Sequence, residues 1–379
     1  MKSAPYRKRK PNRITVSVIS NITTDQRVIR VCSTLQALGF SVTVFYRRLP
    51  GSLPPGTYPF RIRAIPCRFR RGIAQYVEFT GKLLVVLLFS RTRYFLANDL
   101  DTLLPNFVVS RLRGKKLFYD THEYFTGVAE LNDSPGKRRA WKWLENRLFP
   151  RLSTVYTVNE SVQRQYQQEY GVPVSVVRNV PVSARPAPRE LPSGWKGKII
   201  LLMQGAGINA GRGGLELLES LLFLPEEYYV VFIGGGTQWP VIARKRLEWG
   251  LETRSEMIPT LPPEELRTYT PLAHIGYNLD NFTDLNCRFN LANRIFDYLH
   301  AGVPLLATGI PEVRRLIEQY QCGICIDLLD PREVARATLE LMENQDLYNS
   351  LKNNAKMAAM ALCWEKEQEK LKAIYTPYL

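Results

Sequence analysis

The 379-residue chain is poor in the residues from which metal and redox centres are built. Its three histidines, His122, His274 and His300, stand far apart, and only Cys322 and Cys325 among its six cysteines are spaced as a pair. A zinc site needs a second such pair or nearby imidazoles, so Cys322-Gly-Ile-Cys325 reads as the small-residue entry to a strand, and the cysteines at 32, 67, 287, 322, 325 and 363 as free thiols in a reducing compartment. Long apolar runs are missing as well. The longest, Leu83 to Phe89, has seven residues against the roughly 18 that span a bilayer, and reads as a buried strand or helix. The basic segment Met1–Lys10 has no apolar stretch behind it of the kind a secretory signal carries, so a cytoplasmic location is expected.

Acidic residues are scarce in one half only. Residues 1–190 hold 32 Lys and Arg against 12 Asp and Glu, and residues 191–379 hold 19 against 23, so a net +20 faces a net −4. A single-sign field of that size draws anionic partners. Arg7–Lys10, Arg68–Arg71 and Lys137–Arg139 suit phospholipid headgroups or a pyrophosphate-bearing acceptor, which would place the chain peripherally at the inner face of a membrane. Nucleic acid is not expected, because the aromatic residues follow no RNA-binding signature. With 45% hydrophobic and 11% aromatic residues the chain is globular, and its length suggests two domains.

Apolar strands alternate with amphipathic segments in both halves. Ile14–Ile19, Ser41–Phe45, Arg93–Ala97 and Lys116–Tyr119 read as strands of the first, with a helix from Asp25 to Leu38 ended by Gly39. Lys198–Met203, Tyr228–Ile233 and Ala273–Tyr277 read as strands of the second, with a helix over Leu215–Leu222 and a charged one at Trp364–Tyr375. This rhythm predicts an α/β protein with two doubly wound parallel sheets: residues 1–185 completed by 364–379, a Pro-rich linker at 186–197, and residues 198–363. In such sheets ligands bind beyond the carboxyl ends of strands.

Three strand-end segments carry the chemistry. Gly205-Ala-Gly-Ile-Asn-Ala-Gly-Arg-Gly-Gly214 lies between a strand and a helix, where backbone N–H groups of Gly205 and Gly207 can cradle a diphosphate and Arg212 adds charge. It meets the loose G-x-G-x-x-A pattern, but no acidic residue follows the next strand, so a nicotinamide cofactor is not expected. In Asn290–Gly309, an amide and a guanidinium at a helix start suit a phosphate and a carboxylate one turn later suits a sugar diol, so Asn293, Arg294 and Asp297 can converge on one ligand. The plainer reading is a surface helix capped by Asn290 or Asn293 and ended by Gly302. Tyr119-Asp-Thr-His-Glu123 sets His122 beside Asp120 and Glu123, a group that can orient a hydroxyl or share a proton, with helix capping by Asp120 or Thr121 as the alternative. Asn98-Asp-Leu-Asp101, including Asp99, is similar and favours capping.

These segments occur in an order that resembles a family. Asn21–Arg27, Ala97–Asp99, Tyr119–Glu123, Val158-Asn159, Arg178–Pro181, Gly205 with Arg212-Gly213, Asn293–Tyr298 with Ala301–Pro304, and Trp364–Glu367 look like the retaining family 4 glycosyltransferases of GT-B fold, over nearly the whole chain. The resemblance implies two Rossmann-like domains facing across a cleft, with a last helix crossing back to the N-terminal domain. It implies that Arg212 and Arg294 neutralise the donor diphosphate with Asn293 assisting, that His122 approaches the donor sugar, that the Gly205–Gly207 loop lies under the diphosphate, that Asp297 binds the ribose, and that Ile258 and Pro259 meet the base. Asp99, Asp120 and Glu123 fall on the acceptor side. The sequence departs from the family at the paired carboxylates, where Asp297 is a shortened Glu and Phe289 occupies the other position. The expected activity is transfer of a hexose, with retention, from a nucleoside diphosphate sugar to a glycan or lipid-pyrophosphate acceptor in cell-surface polysaccharide or glycolipid synthesis, without cofactor or metal. A sugar-nucleotide epimerase is the alternative enzyme, and a basic lipid- or polyanion-binding protein with a degenerate site is the reading that Phe289 favours.

Overall fold

The computed structural model describes residues 12–23, 25–49, 56–70, 72–127, 134–183, 187–282 and 288–379. The chain forms two compact units, one running to Asn179 and including Glu367–Leu379, the other Val180–Lys366.

The first unit is built on seven parallel strands: β1 Arg13–Val18, β2 Ser41–Arg48, β3 Arg61–Pro66, β4 Tyr94–Asn98, β5 Lys116–Thr121, β6 Val155–Thr157 and β7 Val174–Val176. Their order is β3-β2-β1-β4-β5-β6-β7. Parallel neighbours need crossover connections, and among the described residues five helices supply five of the six, all but that from β2 to β3: α1 Gln26–Ala37, α2 Gly72–Phe89, α3 Leu100–Leu112, α4 Pro135–Leu148 and α5 Glu160–Tyr170. Helices on both faces leave β4 wholly buried, so its sequence Tyr-Phe-Leu-Ala-Asn has no polar alternation. Asp25 starts α1 by accepting from the Val28 N–H, and Asn159 starts α5 by accepting from Val162.

The second unit repeats the plan with β8 Ile199–Gly205, β9 Tyr228–Gly234, β10 Ser255–Pro259, β11 Ile275–Asn278, β12 Leu305–Thr308 and β13 Gly323–Ile326. The order is β10-β9-β8-β11-β12-β13, all parallel. Its helices are α6 Gly214–Ser220, α7 Trp239–Glu248, α8 Pro263–Tyr269, α9 Asn293–Ala301, α10 Pro311–Tyr320, α11 Pro331–Glu343 and α12 Gln345–Ala361. The last helix, α13 Trp364–Tyr375, belongs to the first unit from Glu367 onward, where Tyr375 is buried and stacks on Phe118 at 4.3 Å.

Two expectations are corrected. Residues 187–197 are not a free linker but part of the second unit, which begins at Val180 rather than 198. Trp195 is buried in its core and donates its indole N–H to Glu256 at 2.6 Å, and the Arg189 guanidinium lies 4.1 Å from the Tyr269 ring centre. The prolines prevent helix and sheet but not packing. Residues 184–186 lie outside the described residues. The second correction concerns Leu83–Phe89, which ends the 18-residue helix α2 and is buried only along Leu83 and Leu87, while Val85, Leu88 and Phe89 are exposed.

In the first unit a buried ion pair locks α1 to the sheet. Arg27 donates from Nε to both Asp120 oxygens at 3.0 and 3.1 Å, from Nη2 to Oδ1 at 2.6 Å, and from Nη1 to the Val177 carbonyl at 2.8 Å, with both side chains out of solvent. Breaking one partner of such a pair leaves a desolvated charge. Arg27→Met is expected to lower stability to urea by about 3–5 kcal/mol, and Arg27→Met with Asp120→Leu by less than the two single changes summed.

Candidate functional site

All strands in each sheet run the same way, so their carboxyl ends share one edge, and in each sheet the order reverses next to the first strand, between β1 and β4 and between β8 and β11. Loops diverging from such a reversal open a crevice. Most of the residues singled out from the sequence lie at these two places.

In the second unit the crevice is shaped by backbone approaching backbone. Gly234, at φ +145° at the end of β9, sits so close to Gly205 that a Cβ there would fall 1.9 Å from the Gly205 carbonyl oxygen. Only glycine fits that approach. The following loop is joined to its neighbour, the Ile208 N–H donating to the Gly235 carbonyl at 2.7 Å and Asn209 accepting from Thr237 N–H at 2.8 Å. Gly207 lies in the loop after β8, partly open.

Arg294, second residue of α9, lies under the loop. A Cβ on Gly205 would stand 3.8 Å from its Nε and Nη2. The side chain is 8% exposed, its Nη1 has no hydrogen-bond partner, and among the described residues it makes no ion pair. Arg212 differs: its Nη1 donates to Asp280 at 2.7 Å. Asp280 is itself buried and accepts from Asn290 at 2.6 Å and Asn278 at 3.3 Å, while its carbonyl accepts from the Thr308 hydroxyl. The backbone ties the two loops, Asn281 N–H donating to the Gly211 carbonyl at 2.8 Å.

Asp297, one turn after Arg294, accepts from the Gln204 amide at 3.4 Å and lies 3.9 Å from the Arg267 guanidinium. Asn293 is exposed at the helix start, which is capped neither by it nor by Asn290: the N-cap is Ala292, and Gly302 closes the helix at φ +70°. Ile258 and Pro259 pair with Ile233 and Gly234 at the carboxyl end of the adjacent strand β10. Phe289 is half-buried. Sequence reasoning missed three buried polar residues that hold the site together. They are Asp280, Gln204 and Tyr298, whose hydroxyl accepts from the Gln204 N–H and donates to the Leu202 carbonyl, both at 3.1 Å. A carboxylate two residues past a strand, as Asp280 is, was the one local signal available.

In the first unit the carboxyl ends of β4 and β5 bring Asp99, Asp120 and His122 together. Asp99 holds φ +57° at the start of α3 without capping it; its carboxylate accepts instead from the His122 backbone N–H at 2.8 Å and faces Nδ1 at 3.2 Å. Nε2 lies 3.6 Å from Asp120, long for a hydrogen bond. Burial favours the neutral imidazole, but Asp99 and Asp120 outweigh it and push the pKa to about 9, so His122 is charged at neutral pH. Asp120 has the opposite balance: burial opposes its charge, Arg27 and His122 overcome this, and the carboxyl is held below its usual range. Asp120 and Thr121 cap no helix, and Glu123 is half-buried with its carbonyl accepting from Thr121. Of the cysteines, 32, 67, 322, 325 and 363 are free thiols, those at 322 and 325 raised by burial to about 12 and about 11, and Cys287 lies outside the described residues. Among the described residues no three metal-binding side chains cluster.

The sequence model of Glycosyltransferase Family 4 matches residues 25–181. No curated protein matches the chain significantly. Solved structures superpose over nearly its whole length. Sucrose-phosphate synthase from Thermosynechococcus elongatus is 13% identical, covering 97% of this chain and 98% of its own, with a TM-score of 0.76. HepE of Anabaena in complex with UDP-glucose is 13% identical over 96% and 99% of the two chains, TM-score 0.74. WaaG, a glycosyltransferase involved in lipopolysaccharide biosynthesis, is 15% identical over 96% and 99%, TM-score 0.70. The fold of this chain, two Rossmann-like parallel-sheet units, is that of the GT-B glycosyltransferase structures.

Proposed function

We propose that the protein is a retaining glycosyltransferase that moves a hexose from a nucleoside diphosphate sugar to a glycan or lipid-pyrophosphate acceptor, in cell-surface polysaccharide or glycolipid synthesis. The observation that carries this reading is Arg294, a buried guanidinium with an unpartnered Nη1 beneath a glycine loop. A guanidinium held out of water costs free energy unless an anion completes it, and a diphosphate at a strand-end loop is the anion that this geometry suits. Arg212 is aimed by Asp280, so its charge is fixed before a ligand arrives and needs no reorganisation when the leaving diphosphate gains charge. Asp297 is the candidate for the ribose hydroxyls, and the backbone of Ile258 and Pro259 for the base. The UDP-glucose held by HepE supports a nucleotide sugar as the ligand class. In the first unit, charged His122 acts as a hydrogen-bond donor to a sugar oxygen; an imidazolium cannot also accept a proton, so it is not a general base.

Three outcomes test this reading. Arg294→Ala is expected to abolish thermal stabilisation by nucleoside diphosphates and to raise the transfer barrier by about 2–4 kcal/mol, with Arg294→Lys recovering only part because it lacks the forked geometry. Normal turnover by Arg294→Ala refutes the assignment. Transfer is expected to persist in EDTA, since both oxygens of the strand-end carboxylate Asp280 are engaged by Arg212, Asn278 and Asn290; activity restored only by Mg²⁺ or Mn²⁺ argues against it. Finally, the His122 imidazole is expected to titrate by NMR near pH 9, and lower in Asp99→Asn. Its folded pKa lies above the unfolded value near 6.5, so the stability it contributes is full below about pH 6.5 and lost as pH rises through about 9.

A further inference from the structure

Helix α2 is apolar on two sides. Phe79, Leu83 and Leu87, four residues apart, are buried in the first unit. On the other side Ile73, Val77, Gly81, Val85 and Phe89, also four apart, form an uncharged stripe along the whole helix, with Ile73 70%, Val77 66%, Val85 53% and Phe89 82% exposed. Beside it α4 exposes Trp143, and a groove of 760 Å³ between the two helices is lined by Ile73, Tyr76, Ala140, Trp141, Trp143 and Leu144. A contiguous apolar face of this extent marks an interaction surface.

The exposed charged residues of these two helices and of the segments flanking α2 are basic. Within 68–70, 72–91 and 134–147 the acidic residues are Glu78 and Glu145, ion-paired with Lys82 and Lys142, while Arg68, Arg70, Arg91, Lys137, Arg138 and Arg139 are exposed. Arg71 and Arg7–Lys10 lie outside the described residues. We propose that this face docks on an anionic lipid bilayer, with α2 lying in the interface plane and the basic side chains among the headgroups. The helix is long and apolar enough to cross a membrane, but one side of it is built into the core of the unit, so it lies on the bilayer rather than through it. A second copy of the chain fits less well, because a two-fold contact through this face sets the same cations against each other. A basic patch alone gives attachment that salt reverses; the stripe adds a component that salt does not remove. The inference is independent of the reading of the second unit's crevice.

The full chain is tested by sedimentation with phosphatidylcholine vesicles with and without phosphatidylglycerol. Binding is expected only with the anionic lipid, weakened but not abolished at high salt. Val77→Asp with Val85→Asp and Phe89→Asp is expected to weaken it about tenfold or more, and Lys137→Glu with Arg138→Glu and Arg139→Glu to remove the preference for phosphatidylglycerol. Brominated lipid is expected to quench wild-type tryptophan fluorescence more than that of Trp143→Phe, a readout that needs no polar substitution on α2. Far-UV circular dichroism and thermal midpoints equal to those of the wild type show that the variants fold. Equal binding by the triple aspartate variant, or equal quenching with and without Trp143, overturns the proposal; so does a wild-type dimer that ignores vesicles and is dissociated by the same variant.

Discussion

The candidate site in the second unit depends on one constraint, the approach of the loops after β8 and β9 to within backbone contact. Gly234 against the Gly205 carbonyl leaves no room for a side chain, and the hydrogen bond from Ile208 to Gly235 fixes the two loops as one surface. Beneath that surface Arg294 is nearly shut off from solvent and makes no ion pair among the described residues. A longer side chain at position 234 would lift the Gly205 loop and open the guanidinium below it to water.

Three arginines illustrate how partners divide structural from chemical roles. Arg27 has a partner for each of its three nitrogens in Asp120 and the Val177 carbonyl, and its contribution is to hold α1 on the first sheet. Arg212 is held by the buried carboxylate of Asp280 and retains partial exposure. Arg294 keeps an unsatisfied buried Nη1. A buried polar group left without a partner is costly, and for that reason the proposed function assigns an anion to this guanidinium.

The excess of positive charge in the first half is not spread as a solubilising coat alone. Exposed cations of the segments around α2 and α4 border an apolar stripe, a combination that water tolerates poorly and an anionic interface accepts well. Two ion pairs of the same unit, the buried one of Arg27 with Asp120 and the partly exposed one of Lys142 with Glu145, show the other use of basic residues, in which a carboxylate within reach converts charge into a fixed contact.

Much of this was legible in the chain. The alternation of apolar strands with amphipathic helices determined two parallel α/β units, and Asp25, Gly39, Gly302 and the glycines after β8 marked element ends within a residue or two, because caps and turns are set by local backbone chemistry. Candidate residues at strand ends were legible for the same reason: topology fixes where those ends gather. Four things were decided only in the folded state. The Pro-rich segment was packed against the second unit by Trp195, Asp280 was recruited by Arg212 from a separate loop, His122 acquired its charge from Asp99 at the start of α3 together with Asp120 on β5, and the apolar run of α2 was left half outside. Each depends on groups distant in sequence meeting in space, and hydropathy along the chain reports how apolar a segment is, not which of its faces the tertiary structure covers.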